Sequence, residues 1–297
     1  VSITVWFYLR PQKSQPLNIR KQFHKTACEK SAEVLERVYQ EKQDNVTIDT
    51  NCILECQGVM DSNRIHFYRP KSNDGKHTHF LLGDTDQTKM DAVIAIRGTK
   101  TMEDVFSNLK LVYSTASKSV DPFLEHFVLP FLSYIEKSVF QIQDAQDSTH
   151  RNILLIGHSL GATIAESLAM YLNSSSKPAS LRPFTFHALT IDSPGVPMTV
   201  RTRLGWEDAV DFICTCQSDA NPVNTLNKPS AKWLYSTGNA LNAKTTWKLI
   251  MNMSNLSLVF VTTNSTEVFM HCLTTHEVTY INSQIANTFV DEDAESW

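Results

Sequence analysis

Glycine is scarce in this chain, nine among 297 residues, and cysteine numbers only six. Long apolar runs are missing. VWFYL at 5–9 and FVLPFL at 127–132 fall far short of the about 20 apolar residues that a membrane-spanning helix needs. A basic excess is missing too: 27 Lys and Arg stand against 31 Asp and Glu, for a formal charge of −4. That balance lacks the basic patch or stripe of a nucleic-acid binder, so no nucleic-acid partner is expected. No basic n-region, apolar h-region and small-residue cleavage site occur in order at the start, which opens on Val1. The location stays open between cytoplasm and secretion, with a lean to the cytoplasm. Repeats, low-complexity tracts and obvious linkers are absent. The expectation is one domain over residues 1–297, with residues 1–60 an N-terminal helix-strand extension.

The cysteines are Cys28, Cys52, Cys56, Cys214, Cys216 and Cys272. Three disulfides are arithmetically open, but a chain of this length does not need them, and buried thiols are expected. Cys52 and Cys56 have no second ligand pair at zinc-finger spacing, so no metal is expected. Asn-x-Ser/Thr sites stand at Asn45, Asn173, Asn252, Asn255 and Asn264, close to the number that chance supplies.

What is present is an alternation of strand and helix signals. Residues 18–43 read as an amphipathic helix, with Ala27, Val34, Leu35 and Val38 near a 3.6 period. ILECQGVM, IHFYRP and THFLLGD read as strands, and Asp74-Gly75 between the last two suits a hairpin turn. AVIAIRGT at 92–99 is a near-continuous apolar run, the pattern of a strand buried on both faces. A helix is expected over 121–142, opened by Asp121-Pro122. NILLIG, PFTFHALTID, AVDFICTC and LSLVFVTT repeat the strand theme, with LGATIAESLAMYL as a helix. The order predicts an α/β fold with a mostly parallel central sheet and helices on both faces.

The chemical signal is sharpest at NILLI-GHSLG-ATIAESLAMYL, where Gly157-x-Ser159-x-Gly161 lies between an apolar strand and an apolar helix. A nucleophile elbow needs that context. The serine sits on a strained turn, so the residues two before and two after must carry almost no side chain. Its Oγ then stands at a helix N-terminus, where the helix dipole favours developing negative charge.

GHSLG at 157–161, with AVIAIRGTKTMEDVFSNL at 92–109, resembles the class 3 lipases. The resemblance runs from about residue 77 to about 226 and more faintly to residue 280. It implies an α/β-hydrolase fold and a Ser-Asp-His chain order. It assigns the oxyanion hole to the backbone N–H groups of Thr99 and Leu160. Acyl transfer needs such preorganised donors at about 3 Å from the tetrahedral oxygen. The family's lid would be Lys100 to Phe106, where Val105 stands in place of a bulky tryptophan. The family's strand ending in Ser-Pro would be FTFHALTIDSPGVP, with Ser193-Pro194.

The family pattern puts the acid at Asp219, in QSDANPVNTL after an apolar strand. Here the Asn-Pro-Val is displaced, which also admits Asn221 to that slot. Asp208 and Asp211 stand at the other end of the strand, where a surface role is expected. Only His271 and His276 follow Asp219. His276 precedes Tyr280 in the family's manner, whereas His271 in VFMHCL has apolar neighbours. His158 and His187 are expected to be structural.

These residues point to a serine esterase or lipase: Ser159 attacks, His276 takes its proton, Asp219 orients His276. No cofactor is needed. The expected partner is a lipid or small ester, with contact at a lipid interface compatible with that reading. A lid without a large apolar anchor favours short or medium acyl esters presented without an interface. Two rivals use the same residues: an inactive lipase-like binding module, and an acyltransferase or thioesterase. Oligomeric state leaves no mark on the sequence.

Overall fold

A computed structural model describes residues 21–81, 89–99, 120–140, 151–217, 223, 230, 233–236 and 290–293. The first described elements are helix α1 (Lys21–Tyr39) and three strands, β1 (Val46–Thr47), β2 (Cys52–Met60) and β3 (Ile65–Ser72). A small pair, β4 (Phe80–Leu81) and β5 (Lys89–Met90), precedes β6 (Ala92–Ile96). Helices α2 (Val120–Phe127) and α3 (Leu129–Phe140) lead to β7 (Arg151–His158) and α4 (Leu160–Asn173). Then come β8 (Phe184–Ile191), α5 (Met198–Leu204), α6 (Trp206–Ala209), β9 (Ile213–Gln217), β10 (Trp233–Ser236) and β11 (Val290–Asp293).

Among the described residues nine strands form one sheet in the order β1-β2-β3-β6-β7-β8-β9-β10-β11. The five strands β6 to β10 run parallel, and the flanking strands are antiparallel. The expected parallel centre is therefore present, and the antiparallel N-terminal flank follows from its short connections. A turn of a few residues, such as Asp61–Arg64 between β2 and β3, can only reverse the chain. The Asp74-Gly75 turn also forms: Gly75 has φ +83° and its N–H bonds Ser72 O at 2.9 Å.

Both faces of the sheet are covered. Ile94, Ile96, Ile153, Leu155, Phe186 and Ala188 pack with helices α2 to α5. Val93, Ala95, Leu154, Ile156, Leu189 and Ile191 pack with α1 on the other side. Alternate residues of β6 and β7 thus enter two different cores, which is why those strands are apolar throughout. The result is a three-layer α/β arrangement, with helices on both faces of a sheet whose centre is parallel. Among the described residues no helix is long and apolar enough to cross a membrane.

The structure corrects one expectation, adds to a second and bears out a third for the described residues. The helix over 121–142 is two helices, beginning at Val120 and broken at Val128. Pro130 explains the break: it has no N–H to bond back, and its ring is tolerated only in a first helical turn. Second, the Asn173 sequon is already engaged, because its side-chain amide bonds both Phe186 O (2.6 Å) and Phe186 N–H (3.2 Å). Third, the five described cysteines are free thiols, four of them buried. Cys272 lies outside the described residues.

His187 is a core residue, as expected. It is 1% exposed, holds Asn152 Oδ1 at 3.2 Å through Nε2, and meets the Phe212 ring edge-on. Burial pushes its imidazole down to about 3. The unfolded chain, with an ordinary histidine near 6.5, therefore binds more protons between those two values. Stability should fall as pH drops from about 6.5 toward about 3. Urea melts of the wild type and His187→Asn across that window check this: the variant should lose less stability on acidification.

Candidate active site

Ser159 sits between the end of β7 and the start of α4 with φ 56° and ψ −128°. That backbone is disfavoured for a residue bearing a Cβ and is held only by the surrounding structure. Its N–H bonds Ile191 O on β8 at 3.1 Å, and its own carbonyl accepts from Ala162 and Thr163 at the start of α4. Among the described residues its Oγ is buried with no hydrogen-bond partner. A buried hydroxyl without a partner is costly in a finished core and calls for an explanation.

Two flanking glycines make the turn possible. A Cβ on Gly157 would lie 2.4 Å from Gly161 O, and one on Gly161 would lie 2.2 Å from Ile96 O. The end of β6 is equally tight. A Cβ on Gly98 would meet His158 O at 2.6 Å and the Ser159 Cβ at 2.9 Å. Gly98 therefore seats the end of β6 directly against the elbow, and half-buried Thr99 is the next residue along. Leu160 is the first residue of α4. Its N–H belongs to the first turn, which has no acceptor within the helix.

The sequence pattern offers no role for Tyr39, which joins these parts. The hydroxyl, at the C-terminal end of α1, meets His158 Nδ1 at 2.7 Å and accepts the Gly98 N–H at 3.1 Å. Burial pushes the phenol up, so it stays protonated. One side chain thus ties the residue before Ser159 to the residue before Thr99. The Arg97 guanidinium lies over the Tyr39 ring, 5.8 Å from its centroid. Arg64 holds the same strand end, since its Nε donates to Arg97 O at 3.1 Å. His158 is structural in this arrangement, as expected. Tyr39→Phe removes both of these bonds, to His158 Nδ1 and from the Gly98 N–H, and should cost about 1–3 kcal/mol. A urea melt reads that loss. Phe keeps the ring, so the apolar packing is unchanged.

Below the elbow, fully buried Glu166 accepts from Thr190 Oγ1 at 3.0 Å and Thr215 Oγ1 at 3.4 Å. Burial pushes its carboxyl above the usual range, against the hydroxyls of Ser193, Ser230 and Thr190 and the charge of Arg201. At the end of β8, Asp192 is fully buried with φ 48° and its N–H bonds Cys216 O at 2.8 Å. Asp208 is exposed on α6, as expected of a surface residue, and Asp211 is half-buried. Asp219, Asn221, His271, His276 and the Lys100–Phe106 segment lie outside the described residues. The structure brings together Ser159, Leu160 and the strand end at Gly98–Thr99. Among the described residues no cluster of His, Cys, Asp or Glu could hold a metal ion.

An elbow of this form on a parallel sheet is common to many hydrolases, and sequence comparison narrows it. Residues 93–200 match the class 3 lipase family. The matched segment runs from β6 through the elbow to the start of α5 and carries Thr99, Ser159 and Leu160. This match supports a lipase-like function. Among solved structures, the chain is similar to a Rhizomucor miehei lipase in complex with its propeptide. The identity is 12% over 76% of this chain and 70% of that one, with a TM-score of 0.40. It is also similar to M37 lipase, at 12% identity over 70% of each chain and a TM-score of 0.34. No curated protein matches the chain.

Proposed function

We propose that the chain is a serine hydrolase of carboxylic esters, with glycerolipids as the substrate class. The observation that carries this is Ser159: it has a strained backbone and a buried hydroxyl with no partner among the described residues, and it stands at a helix N-terminus inside the segment that matches class 3 lipases. The Ser159 Oγ attacks the ester carbonyl while His276 takes its proton. The tetrahedral oxyanion rests on the Thr99 and Leu160 N–H groups, and losing either donor should cost about 10²–10³ in rate. His276 returns the proton to the leaving alcohol, and water then releases the acyl group. Asp219, which follows Ser159 in the chain as the order of this fold requires, is the carboxylate that orients His276.

A fluorophosphonate probe tests the reading directly. Wild-type chain should label at Ser159, located by peptide mass, and hydrolyse soluble short-chain p-nitrophenyl esters. A folded chain that neither labels nor turns over any ester would leave the inactive binding module as the better account. In the segment at 100–106, Val105 stands where fungal lipases often carry a bulky tryptophan, and Met102 and Phe106 are its large apolar side chains beside the charged Lys100, Glu103 and Asp104. Turnover should therefore rise smoothly through the substrate's solubility limit, and a sharp jump there contradicts that part.

A further inference from the structure

Resting on the hydrolase reading, we propose that Tyr39 and Arg64 clamp the Arg97–Gly98 peptide group and thereby aim the Thr99 N–H into the oxyanion hole. They are positioning residues, acting through the main chain. An oxyanion donor is effective only if it already points at the place where the charge will develop. The sheet alone does not fix that direction. Strand β6 pairs no further than Ile96, opposite Gly157 on β7 and Ile65 on β3, and Thr99 lies beyond it. The residue before Thr99 is Gly98, and glycine is the residue whose backbone is freest to turn.

Two side chains supply what the sheet does not. The Arg97 carbonyl and the Gly98 N–H are the two polar ends of one planar peptide group. Arg64 Nε donates to that carbonyl at 3.1 Å, and that N–H donates to the Tyr39 hydroxyl at 3.1 Å. The Arg97 N–H adds a bond to Arg64 O at 2.8 Å. With both ends held, Gly98 is the one joint left between this peptide and the Thr99 N–H. The Tyr39 hydroxyl also meets His158 Nδ1 at 2.7 Å, which references the clamp to the residue before Ser159.

The turn that presents Arg64 is strained. Asp61, Ser62 and Asn63 all have left-handed backbones, with φ 53°, 51° and 64°. A single aspartate or asparagine visits that region readily, but three successive residues bearing a Cβ do so at a cost. Arg64 gains little elsewhere. Its ion pair with Asp61 is long, at 4.0 Å, and its Nη2 is buried with no hydrogen-bond partner among the described residues. A buried peptide needs partners in any core. What marks these two is that they converge on the joint before Thr99, and that one of them is held there by a strained turn.

The test uses the full chain with Tyr39→Phe, Arg64→Lys and, as a control outside the site, Gly205→Ala. Phenylalanine removes only the hydroxyl. Lysine keeps the positive charge but has a methylene where arginine has Nε, so the bond to Arg97 O is lost. Melting curves check folding, and end-point fluorophosphonate labelling counts competent sites, so that kcat is read per site. Tyr39→Phe and Arg64→Lys should each lower kcat by about 10–100-fold with KM within about twofold, because a misplacement of about 1 Å costs up to about 10². The rate of fluorophosphonate labelling should fall in the same proportion, since the phosphoryl oxygen takes the place of the oxyanion. A merely structural role lowers the melting midpoint and the number of competent sites, but not these two rates per site. Gly205→Ala meets backbone strain with no heavy atom within 4 Å of its added Cβ, and should melt lower with wild-type kcat. Either variant that keeps both rates per site overturns the assignment of its residue. Arg64 is partly exposed, and Arg64→Lys decides alone if Tyr39→Phe does not fold. A loss confined to KM, or a lower kcat with unchanged labelling rate, puts the effect outside the oxyanion hole and overturns the clamp. So does an equal loss of kcat in Gly205→Ala. A wild type that labels beside variants of undiminished rate overturns the clamp alone. A folded wild type that never labels overturns the hydrolase reading, and the clamp with it.

Discussion

Ser159→Ala and His276→Ala are each expected to lower kcat by about 10⁶, and the double variant by hardly more. The near-equality follows from the chemistry. Without Ser159 there is no oxygen to carry the acyl group, and without the base that oxygen keeps its proton. Each therefore disables the other, and their effects do not add. What survives should be the contribution of the oxyanion donors and of binding, about 10³–10⁴ over water. Burst and steady-state kinetics on p-nitrophenyl esters read these numbers, with folding followed by circular dichroism. Alanine at 159 also removes a hydroxyl that has no partner among the described residues, at a position with φ 56°. Ser159→Ala should consequently melt no lower than the wild type, which separates loss of activity from loss of fold. If His276→Ala turns over normally and His271→Ala does not, the base is His271 and the hydrolase reading stands. If Ser159→Ala retains full turnover, the elbow is not the site of chemistry.

How much of this site the sequence discloses depends on whether the signal is local. The elbow is legible because strand, Gly157, Ser159, Gly161 and helix are consecutive, and each residue is constrained by its neighbours. The strands buried on both faces are legible for the same reason: an unbroken apolar run leaves no side of the strand for water. The break at Val128 is also written in the sequence, as Pro130, but the apolar period continues across it and conceals the change of axis. Tyr39 is different. It precedes His158 by 119 residues, and a tyrosine near the end of an amphipathic helix has no pattern that reveals a bond to the strand ends. Asp192 is different again. An aspartate after an apolar strand reads as an ordinary strand-ending turn residue. Its complete burial and left-handed backbone become visible only when β8 is laid beside β7.

Gly161→Ala should destabilise the chain by about 3 kcal/mol or more, the upper end of what overpacking costs. The added methyl would lie 2.2 Å from Ile96 O and 2.8 Å from Arg97 C, both main-chain atoms of the strand that leads to Thr99. Main chain cannot swing aside as a side-chain tip can, so α4 and the end of β6 must move apart. Leu160 begins α4 and Thr99 follows the end of β6, so their separation should also open the oxyanion hole proposed at these two residues. The effect should therefore appear twice: as an earlier urea midpoint, and as a further loss of about 10²–10³ in kcat for the molecules that remain folded. Gly205→Ala supplies the control. Gly205 has φ +70°, yet no heavy atom lies within 4 Å of a Cβ built there. Alanine at that position meets backbone strain alone, a cost of about 1–2 kcal/mol, and α5 and α6 meet there on the outside of the sheet. It should lower the melting midpoint modestly and leave kcat intact. A Gly161→Ala chain with wild-type stability and turnover would mean that β6 and α4 are not packed as closely as described, and the oxyanion assignment to Thr99 and Leu160 would fall with it.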